Sequence, residues 1–343
     1  MTATMHLKTA FKWGAALMFV LTTQGSSVFA QAPLEARILE TKKVWDRAKH
    51  NAFTDLLYWK GAWFCAFREA KSHVGSQGVL RVLQSDDADN WESAAVVRDP
   101  TYDLRDAKLS ITPSGDLMIT GGAQTSADGR LLTGTITAVS SDGVEWTSPE
   151  MVVEPGRWVW DLAWRNGVAW GVSYAAPEGT KATSLVRTTD GRQFETHVEE
   201  FFAKTSYPNE ARIRFDAQGA AYCLQRSDGD QDAAYLGVST PPYQRWEWKS
   251  LERFIGGPSL LQLPSGEWLA AGRIFENGQP KTAVLSLDVE AGAVETLAVL
   301  PSGGDCSYPG LDFRDGVLRV SYYSSHEGKA SIYLAKLAID SPS

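Results

Sequence analysis

The chain has 343 residues, with 33 Lys+Arg against 41 Asp+Glu and a formal charge of −8. That acidic balance excludes a nucleic-acid partner held through its phosphates, which needs a basic surface. With 43% apolar and 22% charged residues, the composition is that of a folded globular protein and not of a disordered chain.

Residues 1–30 read as an export signal. Lys8 and Lys12 give a basic start, Gly14 to Leu21 a short apolar run, and Val28-Phe29-Ala30 a small-x-small cleavage site. The run falls short of the roughly 20 apolar residues that a bilayer span requires. No later segment is long and apolar enough to span either, so no membrane span is expected. The expectation is a soluble periplasmic or secreted protein, a monomer, that starts near Gln31 and forms a single domain over residues 31–343.

Glu35–Trp45 alternates as a strand does, and an internal repeat follows it. Six segments share a short apolar strand, a tight turn ending in Gly, and a second apolar strand. They are Phe53–Arg68, Asp106–Gly122, Val159–Tyr174, Glu210–Arg226, Gly257–Arg273 and Tyr308–Tyr323. The turn glycines, Gly61, Gly115, Gly167, Gly219, Gly266 and Gly316, are spaced by 54, 52, 52, 47 and 50 residues. Pro-Ser-Gly, Arg-Asn-Gly and Arg-Asp-Gly at these turns are hairpin sequences, because each supplies a residue that tolerates positive φ. Six copies of about fifty residues built of short strands predict an all-β fold, a six-bladed β-propeller with four antiparallel strands per blade. Glu35–Trp45 then supplies the outer strand of the last blade and closes the ring, which removes exposed sheet edges.

A second signal runs in phase with the first. Ser85-Asp86-Asp87 before Trp91, Ser140-Ser141-Asp142-Gly143 before Trp146, and Thr188-Thr189-Asp190-Gly191 before Phe194 are turns held by Asp and Ser or Thr side chains, with an aromatic beneath. Ser286-Leu287-Asp288 is a partial copy, and Ser239 with Trp246 a weaker one. Asp87, Asp142 and Asp190 are therefore structural. Cys65 and Cys223 read as buried strand residues on opposite blades, and three cysteines in an exported chain are no disulfide framework. Cys and His occur nowhere at metal-ligand spacing, so neither a metal nor a cofactor is expected.

The repeat also predicts where a ligand binds. Inner-strand starts and second-strand ends meet at one mouth of the central channel. The starts include Asp106, Glu210 and Tyr308. The ends, seven residues past the turn glycines, include Arg68, Arg226 and Arg273. Three arginines at one repeat position suit a carboxylate, which guanidinium forks bind bidentately. Trp158, Trp160 and Asp161 stand at the same mouth on blade three, where the indoles could stack on a sugar ring.

The turns Ser140–Trp146 and Thr188–Phe194 resemble the Asp-box of the bacterial sialidase (neuraminidase) superfamily. Its members carry a Glu at the start of an inner strand, an Arg sixteen residues later, another Arg one blade on, and a Tyr at the start of the last blade's inner strand. Glu210, Arg226, Arg273 and Tyr308 occupy those places. The likeness covers the mature chain at fold level, is good at motif level over residues 205–330, and is poor over 45–110. Where the superfamily opens blade one with Arg-Ile-Pro, this chain reads His50-Asn51-Ala52-Phe53-Thr54-Asp55-Leu56. Where the superfamily has a catalytic Asp, the loop reads Arg68-Glu69-Ala70-Lys71-Ser72-His73-Val74.

The resemblance implies an exported glycoside hydrolase that removes a carboxylate-bearing sugar from glycans. A carboxylate on the anomeric carbon repels a carboxylate nucleophile. A neutral Tyr308 avoids that repulsion, and Glu210 takes its proton. Arg68, Arg226 and Arg273 form the carboxylate clamp, with Trp160 and Asp161 as further substrate contacts. His73, Glu69 and Asp106 are candidates for the leaving-group acid. Three other readings remain open: another exo-glycosidase on acidic glycans, a uronate lyase using His73 and Tyr308, and a propeller that binds acidic glycans without turnover.

Overall fold

Six antiparallel sheets, five of four strands and one of five because its innermost strand is split, form the fold in the computed structural model, which describes residues 1–2, 34–127, 129–176, 182–205, 207–228 and 233–340. The expected export signal, apart from its first two residues, lies outside the described residues. Each sheet is one blade of a β-propeller, and no helix occurs among the described residues. The innermost strands are His50–Trp59, Asp103–Ile111, the pair Gly156–Val159 and Ala163–Arg165, Pro208–Phe215, Gly256–Gln262 and Cys306–Arg314. Glu35–Trp45 pairs antiparallel with Ser331–Asp340 and completes the sixth blade, so the ring closes with the strand expected to close it.

All six repeat glycines sit in the first hairpin of their blade with φ between 74° and 108°, a region that side chains disfavour. The core lies between blades. Leu80 and Val82 of blade one pack against Leu104 and Leu109 of blade two, all nearly inaccessible to solvent. Burying each such side chain contributes about 1.5–3 kcal/mol. At the closure, a Cβ on Gly310 would lie 2.1 Å from the Leu56 nitrogen, so only glycine lets blade six approach blade one there. Cys65 and Cys223 fall in blades one and four, and all three cysteines are buried and free.

One irregularity recurs and positions the site. Five innermost strands slip register against their neighbour at the same repeat position: between Ala52 and Asp55, Arg105 and Lys108, Pro208 and Ala211, Gly256 and Ser259, and Ser307 and Gly310. Blade three breaks its strand there instead, at residues 160–162. Within these bulges Phe53, Asp106 and Tyr308 are left-handed, at φ 64°, 53° and 53°. That conformation costs about 1–2 kcal/mol for each non-glycine residue. A bulge breaks the two-residue alternation and re-aims the side chain it carries. Asp106, Glu210 and Tyr308 lie in these bulges and border one cavity.

Candidate active site

At the bulged ends of the inner strands lies a cavity of about 380 Å³, bordered by Arg105, Asp106, Trp158, Tyr174, Glu210, Arg226, Asp228 and Tyr308 together with His73 from the blade-one loop. Its floor is a hydrogen-bonded trio. Tyr308 Oη donates to Glu210 Oε1 at 2.5 Å. Arg226 Nη1 donates to Glu210 Oε2 at 2.6 Å and to Tyr308 Oη at 3.2 Å. The Gly257 amide gives Glu210 Oε2 a further donor at 3.0 Å. Glu210 and Tyr308 are 6% and 8% exposed, so these bonds form away from bulk water.

The electrostatics follow from that packing. Burial pushes the Glu210 carboxyl up, but Arg226, the Tyr308 hydroxyl and Arg273 outweigh it and hold the group below its ordinary value. Burial, then the Glu210 charge, lifts the Tyr308 phenol well above its usual range, against the pull of Arg226. The resting pair is therefore a glutamate beside a neutral tyrosine. The Tyr308 ring stands edge-on to Phe53, with centroids 5.0 Å apart, and Arg273 Cζ lies 5.9 Å from its centre.

Asp106 enters from blade two. Its Oδ2 accepts the Trp160 indole N–H at 3.2 Å. Its Oδ1 is buried without a hydrogen bond, with Arg105 Nε at 3.5 Å outside bonding geometry. Burial raises the Asp106 carboxyl, Arg105 opposes that, and the Glu210 charge adds to it. Asp106 is thus biased toward its protonated form where Glu210 is biased away from it.

Of the other two expected clamp arginines, Arg226 borders the cavity and Arg273 does not, and neither fork is free. Arg226 Nε and Nη2 grip Asp228 at 2.8 and 2.7 Å, and Asn209 Nδ2 donates to the same carboxylate. Arg273 donates twice to the Cys306 carbonyl, at 2.9 and 2.6 Å, and once to Tyr323 Oη.

Four expected site residues are corrected. Arg68 has no exposed surface and does not border the cavity. It forks onto Asp103 and donates to the Ser72 and Ser76 carbonyls, fastening its own loop. Trp160 is completely buried beneath Tyr308 and offers no face to a sugar. Asp161 lies in the channel, bonded to Arg214 Nη1 at 2.9 Å and 3.5 Å from Arg212 Nε. Arg212 in turn pairs with Asp55. Glu69 binds Arg81 and the Trp45 indole, also away from the cavity.

The fold brings in residues that the repeat register did not single out. Arg105, one position before Asp106, donates to the His73 carbonyl and to Gln124 at the cavity wall. Asp228 is two residues past Arg226, and i and i+2 share a strand face, a signal that could have found it. His73 Nδ1 meets Asp305 Oδ2 at 2.7 Å, and His50 Nε2 meets the same oxygen at 2.9 Å. These three are the one group among the described residues whose donor atoms converge as a metal site would require. They are separated by 23 and 232 residues, so no spacing rule joins them. Burial pushes Asp305 up, but hydrogen bonds from His50, His73 and Tyr323 outweigh it and hold the carboxylate low.

The expected structural turns are built of their own atoms. Asp87, Asp142 and Asp190 each accept two backbone amides through one oxygen, at 2.8–2.9 Å.

No family model matches the sequence, and no curated protein matches it. Solved structures do match. A protein of unknown function from Dyadobacter fermentans superposes with a TM-score of 0.76 at 20% identity, over 89% of this chain and 99% of that one. An α-L-arabinofuranosidase from Fusarium graminearum, in complex with an iminosugar inhibitor, gives 0.67 at 12% identity, over 88% and 98%. The Trypanosoma rangeli sialidase in complex with the inhibitor DANA gives 0.65 at 10% identity, over 88% of this chain and 58% of that one. At these identities the likeness is one of fold: the chain is a six-bladed propeller with the architecture shared by sialidase and arabinofuranosidase structures, and distant from them in sequence.

Proposed function

We propose that the chain is a glycoside hydrolase for a carboxylate-bearing sugar, with Tyr308 as nucleophile and Glu210 as the base that takes its proton. The observation that carries this reading is the 2.5 Å contact between Tyr308 Oη and Glu210 Oε1, with Arg226 on both groups. As Tyr308 attacks the anomeric carbon, its proton passes to Glu210, and Arg226 stabilises the charge remaining on the pair. Asp106, buried and biased toward protonation, is the acid that protonates the leaving oxygen. Arg105 and Arg226 give the cavity wall the positive side that a sugar carboxylate needs. The structural neighbours that include a sialidase and an arabinofuranosidase support a glycosidase on this fold. We further propose export and removal of residues 1–30.

One observation favours a second reading. Asp228 already holds the Arg226 fork. A neutral sugar would need no clamp, and Glu210 itself would then be the nucleophile with Asp106 as acid, the two-carboxylate scheme. Aryl glycosides of acidic and of neutral sugars, followed by peptide mapping of a trapped glycosyl-enzyme, separate the two. A label on Tyr308 supports the first reading, a label on Glu210 the second, and no turnover of any substrate refutes both.

A further inference from the structure

His50, His73 and Asp305 form a cluster at the cavity wall that the proposed reaction leaves unused. We propose that it is a binding site for a divalent transition-metal ion of the zinc type. Both imidazoles reach one carboxylate oxygen, Asp305 Oδ2, at 2.9 and 2.7 Å. The three donor atoms lie within 4.8 Å of one another. Two imidazoles and one carboxylate on one side of a point leave its other positions open, the facial arrangement of two-histidine, one-carboxylate centres. Nitrogen-rich donors suit zinc, cobalt or nickel, whereas calcium and magnesium take oxygen.

The surroundings favour ligation. Asp305 Oδ1 accepts Tyr323 Oη at 2.6 Å, which leaves Oδ2 as the single donor and fixes the carboxylate from behind. Ser325 ties the Asp305 backbone on both sides, its Oγ accepting the Asp305 amide and its amide donating to the Asp305 carbonyl, each at 2.9 Å. His50 is buried on the inner strand of blade one, while His73 is half exposed and borders the cavity, which gives an ion its route in. One feature works against ligation: with His50 Nε2 on a metal, the ring proton sits on Nδ1, a buried atom with no hydrogen-bond partner among the described residues, and this weakens the site. Arg273 Nη2, 3.9 Å from Asp305 Oδ1, opposes a second cation. The site is therefore an exchangeable one, weaker than a closed four-ligand zinc centre.

The test uses the full mature protein freed of metal by dialysis against chelator, then titrated with Zn²⁺ and with Co²⁺. One equivalent is expected to bind, with visible Co²⁺ absorption bands from nitrogen ligation. Asp305→Asn, which keeps the shape and one acceptor oxygen, and His73→Ala, at a half-exposed loop position, should each weaken binding at least about tenfold. Absence of a stoichiometric equivalent and of the Co²⁺ bands in the wild-type protein overturns the proposal. So does binding that is unchanged in both variants. Neither readout depends on glycoside hydrolysis.

Discussion

Replacing Tyr308 by Phe deletes one oxygen and leaves the ring between Phe53 and Arg273. Glu210 loses its 2.5 Å donor but keeps Arg226 Nη1 at 2.6 Å and the Gly257 amide at 3.0 Å. A hydrogen bond to a charged group is worth about 1.5–3 kcal/mol. With two charged-group bonds retained, the stability cost belongs at the low end of that range, and a melting point moves by about 2–4 °C per kcal/mol in a domain approaching this size. Activity should behave differently. Without the nucleophilic oxygen the covalent route closes, and kcat should fall by about three orders of magnitude or more, the scale on which loss of a nucleophile is felt. Substrate affinity should persist because the cavity walls are untouched. The assay pairs initial rates on an aryl glycoside of an acidic sugar with melting curves in the presence and absence of its product. A Tyr308→Phe enzyme within tenfold of wild type, with an intact melting point, refutes the tyrosine mechanism and moves the nucleophile to Glu210.

Other outcomes follow from the same geometry. Asp106→Asn should slow substrates with poor leaving groups far more than activated aryl glycosides, because only the former need a proton; equal losses on both would remove Asp106 from the acid role. The raised Asp106 carboxyl binds its proton more tightly in the folded state than in the unfolded chain. Its contribution to stability is therefore full below about pH 4 and falls as pH rises through the folded value; pH-resolved urea midpoints of wild type should show this decline and Asp106→Asn should lack it. Arg68→Met should cost about 3 kcal/mol, the low end for breaking a buried pair, because Asp103 is only partly buried and keeps the Gly78 amide, read by urea denaturation, with KM unchanged; a raised KM at full stability would return Arg68 to the clamp. Protein recovered from an exporting host should begin near Gln31 by intact mass, and a mass that includes residues 1–30 would count against export.

What was legible in the sequence is local. A hairpin that needs a positive φ at Gly61 or Gly316 carries that need in its own few residues, and six such turns at one period specify a closed ring. The strand Glu35–Trp45 was readable as the closing strand because a ring leaves it only one free edge. Glu210 and Tyr308 were readable as neighbours because register puts both at the same mouth, although Tyr308 gets there through a bulge that the alternation does not encode. The tertiary structure alone decided which equivalent residues do equivalent work. Arg68 and Arg226 both stand seven residues past a turn glycine. Arg68 meets Asp103 and the carbonyls of its own loop, and is consumed by them. Arg226 meets Glu210 on its own blade and reaches the cavity. The difference lies in what the adjoining loop and blade supply, and hydrogen-bond donors go to whichever acceptor burial brings closest. His50, His73 and Asp305 show the same limit from the other side. They are distant in sequence, and only closure of the ring sets three donor atoms around one point.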